Sequence, residues 1–149
     1  MTLVLKVPLI IIAVYLWIGF VIAISFMEAW LKFRAPGVTI PIGLGIGRLV
    51  FNALNKIEWI FTIAIFAGLL ISKQVWPSDY NLLFYIPVLL LAIQTVWLLP
   101  ALDRRAEMHI NGLETPRSYL HLYYVLMEII KVACLFIFGI KQYLPYIIK

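Results

Sequence analysis

Four long apolar stretches constrain the fold of this chain more than any other feature of its sequence. A bilayer core about 30 Å thick is crossed by roughly 20 helical residues. Apolar segments of this length lie at about 7–29, 53–72, 80–99 and 119–140. Because lipid offers no hydrogen-bond partners to the backbone, each segment is predicted to be a transmembrane helix. The predicted fold is therefore all-α: a polytopic membrane protein whose residues 1–149 form one domain, a four-helix transmembrane bundle.

The composition supports lipid as the solvent of the chain. Hydrophobic residues make up 64% of the sequence and charged residues 13%, whereas a soluble domain is about half apolar and about a quarter charged. The single cysteine, Cys134, excludes an intrachain disulfide and a paired-cysteine redox site. The net charge of +5 comes from basic residues that, apart from the adjacent Arg104 and Arg105, stand singly beside apolar runs. They are predicted to anchor the chain to lipid headgroups, with no nucleic-acid partner.

The connectors between the spans predict two further features. Arg48, Asn52 and Asn55 recur at i, i+4 and i+7, the pattern of a short amphipathic helix that lies at the membrane interface before the second span or runs straight into it. Pro100 is expected to close the third span, because proline disrupts a helix interior.

The distribution of lysine and arginine predicts the orientation. The first and third connectors together carry seven of these residues, and the opposite side carries four. Because cytoplasmic loops are enriched in positive charge, these two connectors are predicted to face the cytoplasm. The chain is then a multi-pass protein of the bacterial inner (plasma) membrane with both termini on the outer, periplasmic side.

Polar residues inside the fourth span are the first candidate site. His121, Tyr124, Glu128 and Lys131 follow i, i+3, i+7 and i+10, which places them on one helix face. An ionisable group at bilayer depth costs about 2.5–3.5 kcal/mol, so it usually marks a function or an internal partner. Glu128 and Lys131 are predicted to form an ion pair. The pair is either a proton-exchanging or ligand-binding site or a strut between helices, and Gln94 is predicted to hydrogen-bond across helices beside it.

A second group of polar residues is predicted on the cytoplasmic side. Its members occur near the ends of the first two spans and could form either a polar vestibule or a set of headgroup anchors. They are Arg48, Asn52, Asn55, Glu58 and Glu28, the last paired with Lys32 one turn later.

The two histidines raise a haem or metal hypothesis. His109 and His121 are both predicted near the cytoplasmic face, but their spacing matches no recognised ligand motif. No cofactor is therefore predicted from the residues, and the haem or metal site stays a hypothesis on these two side chains. No nucleophile–base set is visible in the sequence, so an enzyme is not the favoured interpretation.

Four segments carry a resemblance to a known family: SFMEAWLKFRAPG, GIGRLVFNALNKIE, LPALDRR and YLHLYYVLMEIIK. They resemble a small four-span bacterial membrane family of unknown function, grouped with copper-resistance-D-like and protoporphyrinogen-oxidase-like four-helix membrane proteins. The resemblance implies a four-helix membrane bundle and a tie to metal or haem. The oxidase-like proteins carry a histidine in the first span, and this chain has none there.

These observations predict an accessory or structural subunit of a larger membrane assembly. Its expected partners are membrane lipids and either other membrane subunits or further copies of the chain. Two alternatives stay open: a small oligomeric transporter or proton-coupled carrier that uses the Glu128–Lys131 pair, and a haem- or metal-binding membrane protein.

Overall fold

The computed structural model describes residues 6–72 and 78–147, and the regular elements within these ranges are all helical. The first span consists of an α-helix Lys6–Val21, a π-helical segment Ile22–Glu28, a short α-helix Ala29–Leu31 and a 3-10 turn Lys32–Arg34. The second is one α-helix, Ile40–Ser72. The third consists of an α-helix Ser78–Ile93, a π-helical segment Gln94–Leu98 and an α-helix Leu99–Ile110. The fourth is an α-helix, Leu120–Ile147.

In the part of the chain that the structure describes, four helical stretches are long and apolar enough to cross a membrane: Leu9–Arg34, Ile40–Ile71, Leu82–Ile110 and Leu120–Gln142. The predicted all-α architecture with four spans is confirmed at this level. The chain is a multi-pass membrane protein.

The third span differs from the sequence prediction at its end. Pro100 was expected to close the helix, but the helix continues through it to Ile110. The proline follows directly on the π-helical segment Gln94–Leu98 and lies in the first turn of the helix Leu99–Ile110. The N–H of Leu99 bonds to the carbonyl of Gln94, five residues back, so the hydrogen-bond register changes just before the proline, which lacks a backbone N–H.

The segment that precedes the second span is continuous with it. Arg48, Asn52 and Asn55 belong to the same 33-residue helix as the membrane-crossing residues that follow them. Of the two arrangements that the sequence left open, the helix running straight into the span is therefore the one observed. Its depth relative to the headgroups stays a prediction.

The spans pack as a closed bundle. The first span contacts the second and the fourth, and the third contacts the fourth. The helix Leu99–Ile110 closes the ring against the second span. Because lipid tails are as apolar as leucine, the bundle is held by close side-chain packing and by hydrogen bonds between helices.

Two apolar layers fill the bundle. The large core is formed around Trp17, Ile65, Leu91, Leu135 and Phe138. The small core is formed by Leu98, Leu99 and Tyr124, against which Phe51, Leu102, Leu120 and Met127 pack. Polar side chains of the second, third and fourth spans lie between these two layers.

The small core faces the end of the bundle that carries the turns after the first and third spans, which we call the connector end. Gly37 and Gly112 adopt φ of 80° and 71° in these turns, a conformation that side chains disfavour. At this end, Phe33 packs so closely on Gly43 of the second span that a Cβ there would overlap its ring. This contact holds the turn that follows the first span against the second span.

Candidate functional site

Four polar side chains meet in the interior of the bundle, and we call them the buried cluster. Glu58 comes from the second span, Gln94 from the third, and Glu128 and Lys131 from the fourth. Each is at most 1% exposed. Groups of this kind occur at bilayer depth only when they face one another or a cavity, so their convergence identifies the candidate site.

Lys131 is the centre of the buried cluster. Its Nζ donates to Glu58 Oε1 at 2.5 Å and to Gln94 Oε1 at 2.7 Å. The same atom forms an ion pair with Glu128 Oε1 at 2.9 Å. An ammonium carries three N–H groups, and these hydrogen bonds use two of them. The three contacts together join Lys131 to the second, third and fourth spans.

The two carboxylates have further donors, and one of their oxygens has none. Trp17 Nε1 donates to Glu58 Oε1 at 2.8 Å, and Gln94 Nε2 donates to Glu128 Oε1 at 2.8 Å. Glu128 Oε2 is buried and accepts no hydrogen bond from any residue that the structure describes. This oxygen is the unsatisfied acceptor of the buried cluster.

The charges of the buried cluster do not balance when every group is ionised. Two carboxylates face one ammonium, which leaves a net charge of −1 on groups that are fully buried. An uncompensated charge in such a place costs several kcal/mol (about 3–5 when a buried pair is broken). One bound proton would remove this excess charge.

A polar stripe on the second span leads from the connector end to the buried cluster. Arg48 lies near the carboxylate of Asp103, and Asn52 Nδ2 donates to the other oxygen of that carboxylate at 3.2 Å. One turn further, Asn55 Nδ2 donates to Thr95 Oγ1 at 2.9 Å. Glu58 follows after three more residues, so the stripe covers about 15 Å from Arg48 at 1.5 Å per residue.

A cavity of about 130 Å³ opens at the connector end of the same stripe. Its lining includes Lys32, Arg48, Asp103, His121 and Tyr124 among apolar side chains. The Tyr124 hydroxyl lies 3.5 Å from Ser25 Oγ. Because Tyr124 also precedes Glu128 by one helical turn, about 6 Å, a single layer of side chains separates the cavity from the buried cluster.

The structure groups the predicted site residues differently from the sequence analysis. Tyr124, Glu128 and Lys131 share the buried face as expected, whereas His121 on the same stripe is exposed at the cavity. Glu58 was grouped with the cytoplasmic-side residues, and the structure instead places it against Lys131.

The remaining members of that group stay near the connector end, and the pair between Glu28 and Lys32 is present at 3.1 Å. One Glu28 oxygen is buried and has no hydrogen-bond partner in the described part of the chain. Arg48 and Asn52 meet at Asp103, as described above, whereas Asn55 binds the third span through Thr95.

Three contributors were not found from the sequence: Trp17, Ser25 and Thr95. Ser25 and Thr95 are polar residues inside apolar runs, the same feature that singled out Gln94. Both lie in π-helical segments, Ile22–Glu28 and Gln94–Leu98, which occur frequently at functional sites in other helices.

The histidines do not assemble a metal centre of the usual kind. His109 hydrogen-bonds Thr115 Oγ1 through a ring nitrogen at 2.6 Å. Both His109 and His121 line a neighbouring cavity of about 250 Å³. Within residues 6–72 and 78–147, no group of three histidine, cysteine, aspartate or glutamate side chains could hold a metal ion. The metal hypothesis gains no support from this geometry.

In comparisons with known proteins, no family model, curated protein or solved structure matches the chain. The functional interpretation therefore depends on the site itself.

Proposed function

We propose that this chain is a proton-exchanging membrane protein of the small proton-coupled carrier class, with the buried cluster as its exchange site. The observation that carries the proposal is the charge count: two carboxylates share one ammonium in a fully buried place. A strut needs only a neutral pair, and Glu128 with Lys131 already provides one. Glu58 adds a third charge whose burial is costly unless a proton binds.

The hydrogen bonds of the buried cluster suggest where that proton binds. Glu128 Oε2 has no donor among the described residues, whereas Glu128 Oε1 accepts a hydrogen bond from Gln94 and forms the ion pair with Lys131. A proton on Oε2 would leave Lys131 paired with Glu58. In this state the cluster is neutral, and the contacts between the second and fourth spans are kept.

Access to the buried cluster is unequal on its two sides. Toward the connector end, only the layer of Tyr124 separates Glu128 from the cavity. On the opposite side, Leu135 and Phe138 of the large core follow Lys131 on the same helix face. Beyond them lies Gln142, which is fully buried, about 16 Å from Lys131 by helical rise. This asymmetry fits a carrier whose site communicates with one side of the membrane at a time.

Infrared spectroscopy of the reconstituted protein tests proton exchange. A protonated carboxyl has its own C=O band, which shifts when H₂O is replaced by D₂O. We expect this band in the wild-type protein, a shift within the time of the solvent change, and its loss in the Glu58→Gln, Glu128→Gln double variant. Glu114→Gln, at an exposed glutamate of the third connector, is the matched control and should keep the band.

Two outcomes of this measurement would contradict exchange. A wild-type spectrum without the band would mean that the buried cluster holds no extra proton. A band that stays unshifted in D₂O would mean that the proton is locked in place, as in a purely structural strut.

Carrier activity is tested separately in vesicles that contain only this chain. A potassium diffusion potential is expected to drive proton movement in wild-type and Glu114→Gln vesicles and to leave the lumen of Glu128→Gln vesicles unchanged. Equal pH changes with wild-type protein and Glu128→Gln would contradict the carrier role, whatever the infrared result.

A structural role within a larger assembly is the second candidate, and the contacts of Lys131 favour it. That side chain joins the second, third and fourth spans through three polar contacts. In this case neither the wild-type protein nor Glu128→Gln would exchange protons. The variant would instead co-purify with fewer partner subunits in mild detergent.

The membrane and the orientation are part of the same proposal. The excess of lysine and arginine in the first and third connectors supports a bacterial inner membrane location with the connector end in the cytoplasm. The cavity and the polar stripe then open toward the cytoplasm. The family resemblance of the four quoted segments is consistent with a four-span bundle and stays a prediction.

A further inference from the structure

We infer that the cavity at the connector end is a binding site for an anionic amphiphile: one carboxylate or phosphate group attached to an apolar body about the size of a benzene ring. This inference concerns binding alone and goes beyond the proposed proton exchange. It would hold even if the buried cluster proved to be structural.

The cation at the rim of the cavity has unused donors. Arg48 approaches Asp103 at 3.5 Å and Glu107 at 4.0 Å, yet its guanidinium donates no hydrogen bond to any described residue. Its side chain is 32% exposed. A guanidinium carries five N–H groups whose planar arrangement matches a carboxylate or a phosphate. Arg48 is therefore held in position by Asp103 and Glu107, and the N–H groups that do not face these carboxylates are left for a ligand.

Lys32 supplies a second cation with spare donors. Its Nζ donates to Glu28 at 3.1 Å and lies 5.1 Å from the centre of the Phe51 ring. Its side chain is only 8% exposed, and the hydrogen bond to Glu28 uses one of its three N–H groups. Lys32, Arg48 and a single carboxylate, that of Asp103, line the cavity with His121 and Tyr124. The other carboxylates that pair with the two cations, Glu28 and Glu107, are not part of the lining.

The rest of the lining is apolar, which defines the other half of the ligand. Phe33, Phe51, Leu99 and Leu102 contribute to the walls. The volume of about 130 Å³ is close to that of an apolar cavity of about 150 Å³ that binds benzene. The neighbouring cavity of about 250 Å³ shares Leu102 and other lining residues with it, which leaves room for a longer chain.

Such a ligand has two sources, a small carboxylate from the aqueous phase or the headgroup phosphate of a membrane lipid. The probe is 4-fluorobenzoate, followed by ¹⁹F NMR with the protein in phosphatidylcholine nanodiscs, and 4-fluorobenzyl alcohol is the uncharged comparison. We expect saturable binding of the benzoate and at least tenfold weaker binding of the alcohol, since a charge-assisted hydrogen bond is lost.

Variants assign the binding to the cavity. Arg48→Gln is expected to weaken the benzoate about tenfold and to leave the alcohol unchanged. Ala106→Leu, which fills the cavity from its wall, should weaken both probes. Arg104→Gln, at an exposed arginine outside the lining, is the matched control and should bind as the wild type does. To show that each variant is folded, its elution as a single species and its helical content are measured before each titration.

Competition between the benzoate and membrane lipids distinguishes the two sources of the ligand. Displacement of the benzoate by phosphatidic acid, but not by phosphatidylglycerol of the same surface charge, would support the site with a lipid phosphate as its occupant. Persistent benzoate binding in both lipids would support it with a soluble carboxylate. Equal affinity of the benzoate and the alcohol, or the same loss in Arg104→Gln as in Arg48→Gln, would overturn the inference.

Discussion

Replacement of Lys131 by methionine is the sharpest test of the buried cluster. Methionine has a similar length and no charge, so Lys131→Met removes the ammonium with little change in packing volume. Glu58, Gln94 and Glu128 then lose their contact with the ammonium. Breaking a buried ion pair by removing one partner costs about 3–5 kcal/mol, because the remaining charge is left uncompensated. We expect the free energy of unfolding to fall by about this amount.

The assay is unfolding in mixed micelles, in which the helical circular dichroism is followed as sodium dodecyl sulfate is added. Lys56→Met is the matched control, since Lys56 is exposed on the second span. The triple variant with Glu58→Gln, Glu128→Gln and Lys131→Met is expected to recover much of the loss, because no buried charge remains. A loss in Lys131→Met no larger than that in Lys56→Met would refute the argument that charge compensation holds these spans together.

Three further predictions follow from other parts of the chain. Gly43→Ala should lower the free energy of unfolding by about 1–3 kcal/mol, since its Cβ would overlap the Phe33 ring. The control Gly45→Ala places its Cβ in open space and should cost little, and thermal unfolding in detergent compares the two variants. Thr95→Val removes the acceptor of Asn55 and should cost about 0.6–2 kcal/mol in the same assay, and an unchanged midpoint would contradict the contact. A reporter fused to the C-terminus should behave as periplasmic, and cytoplasmic behaviour would reverse the proposed orientation.

Helical periodicity explains why part of the candidate site was predictable. Residues three or four apart on one helix share a face, so Tyr124, Glu128 and Lys131 could be grouped from the sequence. The same rule did not predict the surroundings of His121 on the fourth span and of Glu58 on the second. His121 lies at the end of its face where the bundle opens, and Glu58 continues the face of Asn55 inward until it reaches Lys131.

Contacts between helices were beyond reach of the sequence pattern. Trp17 and Glu58 are 41 residues apart, and Glu58 and Lys131 are 73 apart. Periodicity defines which residues share a face, but the rotation and depth of each helix relative to its neighbours are decided by packing of all four. The passage of the third span through Pro100 has a similar origin, because the π-helical segment before it was not visible in the hydropathy pattern.

The amino-acid sequence by itself determined the solvent, the number of crossings and the presence of an acid and a base on the last one. Hydropathy and length suffice for these, since a backbone in lipid must satisfy its own hydrogen bonds. Only the tertiary structure brought a second carboxylate to the same lysine and set a cavity lined by Arg48 next to Tyr124. Those features depend on which helix faces meet, because the cost of an unpaired buried charge is removed only by partners that other spans supply.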